Sequence, residues 1–169
     1  MSQIRFANAR DELPSRETVL SMSGLDFMQA MVAGTIPCAP IAKALDFRLH
    51  SVKAGEVTFR GAPQFDHMNP VGAIHGGWYG TLLDSAMGCA VMTYLAKGQI
   101  YTTLEYKVNL IRAIPADTLV DCTATSDHTG RSTGVAQGKI VGVDSRQLYA
   151  TGSTTCIIMT PSDPPQSER

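Results

Sequence analysis

Residues 75–97, HGGWYGTLLDSAMGCAVMTYLAK, constrain most tightly what this chain can fold into. From Gly76 to Ala96 one side chain is formally charged, Asp84. A helix that is apolar nearly all round must be wrapped by other elements or span a bilayer. In a bilayer, Asp84 at mid-span would cost about 2.5–3.5 kcal/mol on insertion scales. Glycines and hydroxyl side chains also dilute the run. The stretch therefore reads as a buried helix over roughly residues 77–96, ended near Gly98.

The rest of the chain can supply the wrapping. DFRLHSV and EVTFRGAP flank KAGE, a hairpin pattern with Gly55 in the turn. QFDHMNPVGAI has no clean period and reads as a loop, in which His67 is expected to be solvated. After the helix, YTTLEYKVNLIRA alternates. Thr103, Glu105, Lys107 and Asn109 fall on one face, and Leu104, Tyr106, Val108 and Leu110 on the other, a strand with one dry face. DTLVDCTATSDH, STGVAQGKIVGV and QLYATGSTTCIIM are three more strand-like runs, and their short links favour antiparallel pairing. Upstream, apolar positions from Thr18 to Val32 predict a short helix that GTIPCAP ends. Two strands, a long helix and four strands give an α+β class.

A length of 169 residues suits one domain, expected over residues 18–161. Residues 1–17 and 162–169 are polar and expected to be loosely held. A net charge of −1 gives no electrostatic footprint for nucleic acid or an anionic membrane surface. Cys38, Cys89, Cys122 and Cys156 form no CxxC pair, so neither a zinc site nor a disulfide framework is expected. Scattered thiols and an N-terminus without an apolar signal region fit the cytoplasm.

Three chemical features sit close together. His75-Gly76-Gly77 opens the helix, where early N–H groups lack partners and the dipole is positive. Without side chains there, a ligand can approach the backbone, and a polarised carbonyl oxygen could be held. The glycine pair equally permits a plain tight turn. Asp84 costs energy unless it is solvated, paired or functional. Asn69 stands shortly upstream. Gly76 and Asp84 are eight residues apart, about 12 Å along a helix. One helix cannot bring both to one carbonyl, so joint action requires a second subunit.

NPVGAIHGGWYGTLLDSAMG followed by YTTLEYKVNLIRAIPADTL resembles the hot-dog-fold thioesterases of the phenylacetate-degradation type. GRSTGVAQGKI and LYATGSTTCIIM look like that group's closing strands. The resemblance spans roughly residues 40–160 and leaves out the N-terminal helix. It implies an antiparallel sheet of about six strands wrapped around the helix, and a homodimer or a dimer of dimers. It implies hydrolysis of an acyl-CoA substrate without metal or other cofactor. By position, Asp84 matches the catalytic carboxylate and Gly76 the residue whose N–H polarises the thioester carbonyl. Asn69 matches a polar residue that orients substrate or water. His75 matches a histidine that supports the loop, and Thr103 a hydroxyl near the attacking water. Gly88 stands where some relatives carry Thr, so Thr103 would take that role. Arg131, Lys107 and Arg112 are candidates for the CoA phosphates. The rival readings are a hydratase or dehydratase working through His75, and a non-catalytic acyl-CoA binding module.

Overall fold

The structure, a computed structural model, describes residues 4–161. Six strands form one antiparallel sheet: β1 (Phe47–Lys53), β2 (Glu56–Gly61), β3 (Ile100–Leu110), β4 (Val120–Thr129), β5 (Thr133–Gly142) and β6 (Leu148–Met159). The strand order is β1-β2-β4-β5-β6-β3. This is the wrapped arrangement the resemblance implies. Helices α1 (Arg16–Leu20), α2 (Gly24–Val32) and α3 (Pro40–Ala44) precede the sheet, and α4 (Gly76–Met92) packs against it. Among the described residues no helix is long and apolar enough to cross a membrane. The segment 162–169 lies outside the described residues. Within the segment expected to be loosely held, Phe6 bridges to Cys38, Ala7 is buried and Arg10–Glu12 form a 3-10 turn.

The core follows from α4. Leu82, Leu83, Ala86, Met87, Ala90 and Val91 are fully buried against inward residues such as Val57, Cys122, Ala136, Ile140 and Cys156. Each large apolar side chain so buried contributes about 1.5–3 kcal/mol relative to exposure.

Three expectations need correction. The predicted N-terminal helix is two helices. Ser15 and Ser23 each cap one, accepting from Thr18 N and Asp26 N. The break lets Gly24 meet the end of α4: its N–H donates to Leu95 O at 3.0 Å, and a Cβ there would stand 1.9 Å from Met92 O. Second, α4 stops at Met92, short of residue 96. The Thr93 hydroxyl donates to Ala90 O at 2.7 Å and accepts the Gly55 N–H at 2.8 Å, which ties the helix end to the β1–β2 hairpin.

Third, β3 does not alternate from end to end. Thr103 pairs with Cys156 and Glu105 with Thr155, so Leu104 is an extra, bulged residue. The bulge shifts the inward set from odd to even numbers. Tyr101 and Thr103 before it share a face with Tyr106, Val108 and Leu110 after it, because their partners Ile158, Cys156, Thr154, Gly152 and Ala150 all face the core. The face expected to be dry is incompletely covered. Leu104, Tyr106 and Leu110 are 60%, 47% and 56% exposed, and β3 is an edge strand.

Candidate active site

The loop before α4 is built tightly. Asn69 Oδ1 accepts the N–H groups of Val71 and Ala73, both at 3.1 Å. Asn69 N donates to Ala73 O at 2.8 Å, and Gly72 takes a φ of 80° to close the turn. His67, a loop residue expected to be solvated, is buried instead. Its Nδ1 accepts the Gln64 N–H at 2.8 Å and its Nε2 lies 3.1 Å from Ala44 O. His75 N donates to His67 O at 2.8 Å, and His75 Nδ1 accepts the Gly77 N–H at 2.9 Å. His75 is thus the N-cap of α4.

That cap leaves one backbone donor free. Gly76, the first residue of α4, is exposed, and among the described residues its N–H has no acceptor. It lies at the positive end of a 17-residue helix. Beside it a groove of about 280 Å³ is lined by His75, Gly77, Trp78, Thr81 and Met68.

Asp84 lies two turns further on and is half-buried. Its Oδ1 accepts a hydrogen bond from the Thr103 hydroxyl at 2.9 Å. Among the described residues Oδ2 has no partner. Gly76, Gly80, Asp84 and Gly88 recur every four residues and form one ridge of α4. The inward side chains of β3 lie along that ridge. A Cβ on Gly76 would stand 3.3 Å from Leu110 Cδ1, one on Gly80 3.3 Å from the Tyr106 hydroxyl, and one on Gly88 2.7 Å from the Tyr101 hydroxyl. Asp84 is the member of the ridge that meets a hydroxyl of β3 with a side chain of its own.

Tyr101 is half-buried beside this ridge. Burial pushes its phenol well above the ordinary value, and the nearby Cys89 and Cys156 thiols and Asp84 add to the shift. Burial likewise pushes the Cys89 thiol up to about 12, against a smaller lowering by the nearby Tyr101 hydroxyl. Tyr101 was not among the residues picked out from the sequence. The stride of four glycine-class positions around Asp84 was visible there, but which strand residues fill the gaps depends on the bulge.

The basic candidates are spread apart within one chain. Lys107 sits on the outer sheet face, in a polar hollow of about 620 Å³ shared with Lys139, Gln137 and Thr151. Arg112 follows β3 near the start of α4: its carbonyl accepts from the Tyr79 hydroxyl at 3.4 Å, and its Nη1 donates to Leu148 O at 3.3 Å. Arg131 is exposed in the β4–β5 connection, near Gly134, which packs on Val91 towards the other end of α4. Of the side chains that could line an acyl pocket, Trp78, Tyr79 and Met87 are core, while Phe65 is 81% exposed.

A carboxylate held by a hydroxyl can take a proton from water or attack an acyl carbon. An unpartnered N–H at a helix start can stabilise the resulting oxyanion. Residues 71–149 match the model of the thioesterase superfamily. A phenylacetic-acid-degradation-related protein from Ralstonia eutropha is 26% identical over 78% of this chain and 98% of its own, with a TM-score of 0.70. The PaaI protein of the phenylacetic acid degradation operon of E. coli shares the fold at 22% identity, over 82% of this chain and 96% of its own, with a TM-score of 0.69. A thioesterase protein from Streptococcus pneumoniae, solved with coenzyme A, shares it at 21% identity, 72% and 94% coverage and a TM-score of 0.64. Residues 71–149 are thus similar to the thioesterase superfamily, and the chain shares the hot-dog architecture of these solved structures.

Proposed function

We propose that this protein hydrolyses an acyl-CoA thioester to the free acid and CoA, in sites made by two subunits. The observation that carries this reading is the pair of complementary groups on α4. The Gly76 N–H is exposed and unpartnered, and Asp84, held by Thr103, keeps one oxygen free. They stand about 12 Å apart along one helix, too far to serve one carbonyl. Two facing helices bring Gly76 of one chain to Asp84 of the other. The edge of β3, eleven residues long, and the exposed Leu104, Tyr106, Leu110 and Ile111 are the surface that a second copy would cover.

In this reading the thioester oxygen sits on the Gly76 N–H, and Asp84 of the facing subunit acts as general base or nucleophile. Asn69 and His75 hold the loop that presents Gly76, and Arg112 and Arg131 are candidates for the CoA phosphates. The hydratase reading is weaker, because His75 spends Nδ1 on the Gly77 N–H and, among the described residues, bonds to no carboxylate.

Asp84→Asn should keep the fold and remove most turnover of phenylacetyl-CoA, butyryl-CoA or palmitoyl-CoA, whichever the wild type cleaves fastest. Undiminished hydrolysis by that variant would overturn the assignment. Gly76→Pro removes the N–H alone. Proline fits the first helical position, and His75 already has the extended conformation (φ −62°, ψ 136°) that a following proline requires. It should cost about 10²–10³ in kcat. Co-expressing the two inactive variants should restore activity, since a hybrid dimer holds one intact site. No recovery in a verified hybrid would refute the shared site.

A further inference from the structure

We infer that the Tyr101 hydroxyl is the second anchor of the hydrolytic water, holding it beside Asp84 of the same chain. The inference rests on the thioesterase reading and adds to it a residue and a choice of mechanism: attack by water, with Asp84 as general base.

The argument starts from Gly88. Any side chain there would begin 2.7 Å from the Tyr101 hydroxyl, so that oxygen occupies the space where a residue-88 side chain would stand. Positions 84 and 88 are one turn apart on one ridge, and side chains so spaced begin about 5–6 Å from each other. Two hydrogen-bonding groups at that separation span one water molecule. Thr103 is the nearer hydroxyl, but it already donates to Asp84 Oδ1, so it orients the carboxylate. Oδ2 is left for the water. A neutral phenol oxygen carries lone pairs, so the Tyr101 hydroxyl can accept from a water. Its raised pKa keeps this group a neutral phenol.

A water in this position donates one hydrogen to Asp84 Oδ2 and the other to Tyr101 Oη. Its free lone pair then faces the acyl carbon. As the C–O bond forms, Asp84 takes the first proton, and the carbonyl electron pair moves onto the oxygen at Gly76 of the facing subunit. Collapse breaks the C–S bond, and Asp84 returns the proton to the leaving sulfur. The products are the acid and the CoA thiol. A hydroxyl three residues before the bulged Leu104 thus does work that the helix, with glycine at 88, cannot do for itself.

Tyr101→Phe, assayed on the best of phenylacetyl-CoA, butyryl-CoA and palmitoyl-CoA, should lower kcat about 10- to 100-fold, as for a misplaced reactant. KM should stay within about twofold and Tm close to wild type. A swap provides the independent readout. Tyr101→Ala should lose activity as well, and adding Gly88→Ser should regain at least about tenfold of it, because the ring no longer fills that space. Wild-type kcat in Tyr101→Phe overturns the inference, as does a raised KM at unchanged kcat. If Tyr101→Phe does not fold, the swap decides, and failure to regain activity counts against the anchor. An inactive Asp84→Asn beside a fully active Tyr101→Phe sinks this inference alone. An active Asp84→Asn sinks the thioesterase reading itself.

Discussion

The Thr103 hydroxyl donates to Asp84 Oδ1 across 2.9 Å and joins the middle of α4 to the residue before the β3 bulge. This bond gives the acid of the apolar helix a fixed partner. Thr103→Val keeps the branched shape that suits a strand and removes the donor. Turnover should fall about tenfold through misorientation of the carboxylate, with Tm lowered by a few degrees. Steady-state kinetics and thermal unfolding check both, and an unchanged kcat would show that the bond is structural alone.

Leu104 is a bulged, 60% exposed residue on an open sheet edge. A charge there should oppose any copy that covers the edge. Leu104→Asp should therefore lower self-association and hydrolysis together, as read by sedimentation velocity and turnover over the same concentration range. A monomer with full activity would contradict a site shared between subunits.

Gly24 rests on the end of α4 with no room for a methyl group, since the contact is the Met92 carbonyl. A backbone atom cannot step aside as a flexible side chain would. Gly24→Ala should cost about 1–3 kcal/mol by overpacking. The denaturation midpoint should drop with the m-value unchanged. Equal stability would mean that α2 can be displaced from α4 at little cost.

Alkaline pH should weaken the fold. Burial raises the thiols of Cys38, Cys89, Cys122 and Cys156 above 9.0, and the phenols of Tyr79 and Tyr101 above 10.0. The folded chain then binds these protons more tightly than the unfolded chain does. Their contribution is whole below the ordinary values and is lost as pH rises past them towards the folded ones. Each group adds a slope of up to about 1.4 kcal/mol per pH unit in that window. Urea denaturation between pH 7 and pH 10.5 measures it, and a flat profile above pH 9 would contradict the buried, neutral state of these groups.

Much of this molecule is legible in its residues. The charge-poor run around Asp84 required a wrapped helix, and Gly55 and the alternating runs marked the strands. The bulge at Leu104 was not legible, because alternation counted along one strand carries no information about the strand beside it. His67 was misjudged for a similar reason: its partners, Gln64 N and Ala44 O, come together through the loop's path.

The sequence by itself determined the chemistry on offer: one acid in an apolar helix, a glycine pair at the helix start, and glycines at every fourth position around the acid. Those follow from local periodicity and residue type. Tertiary structure alone decided which hydroxyls meet that acid. One extra residue in β3 turns Tyr101 and Thr103 to the same side as Tyr106 and Leu110. Register is a property of two strands pairing, and no single stretch of chain encodes it.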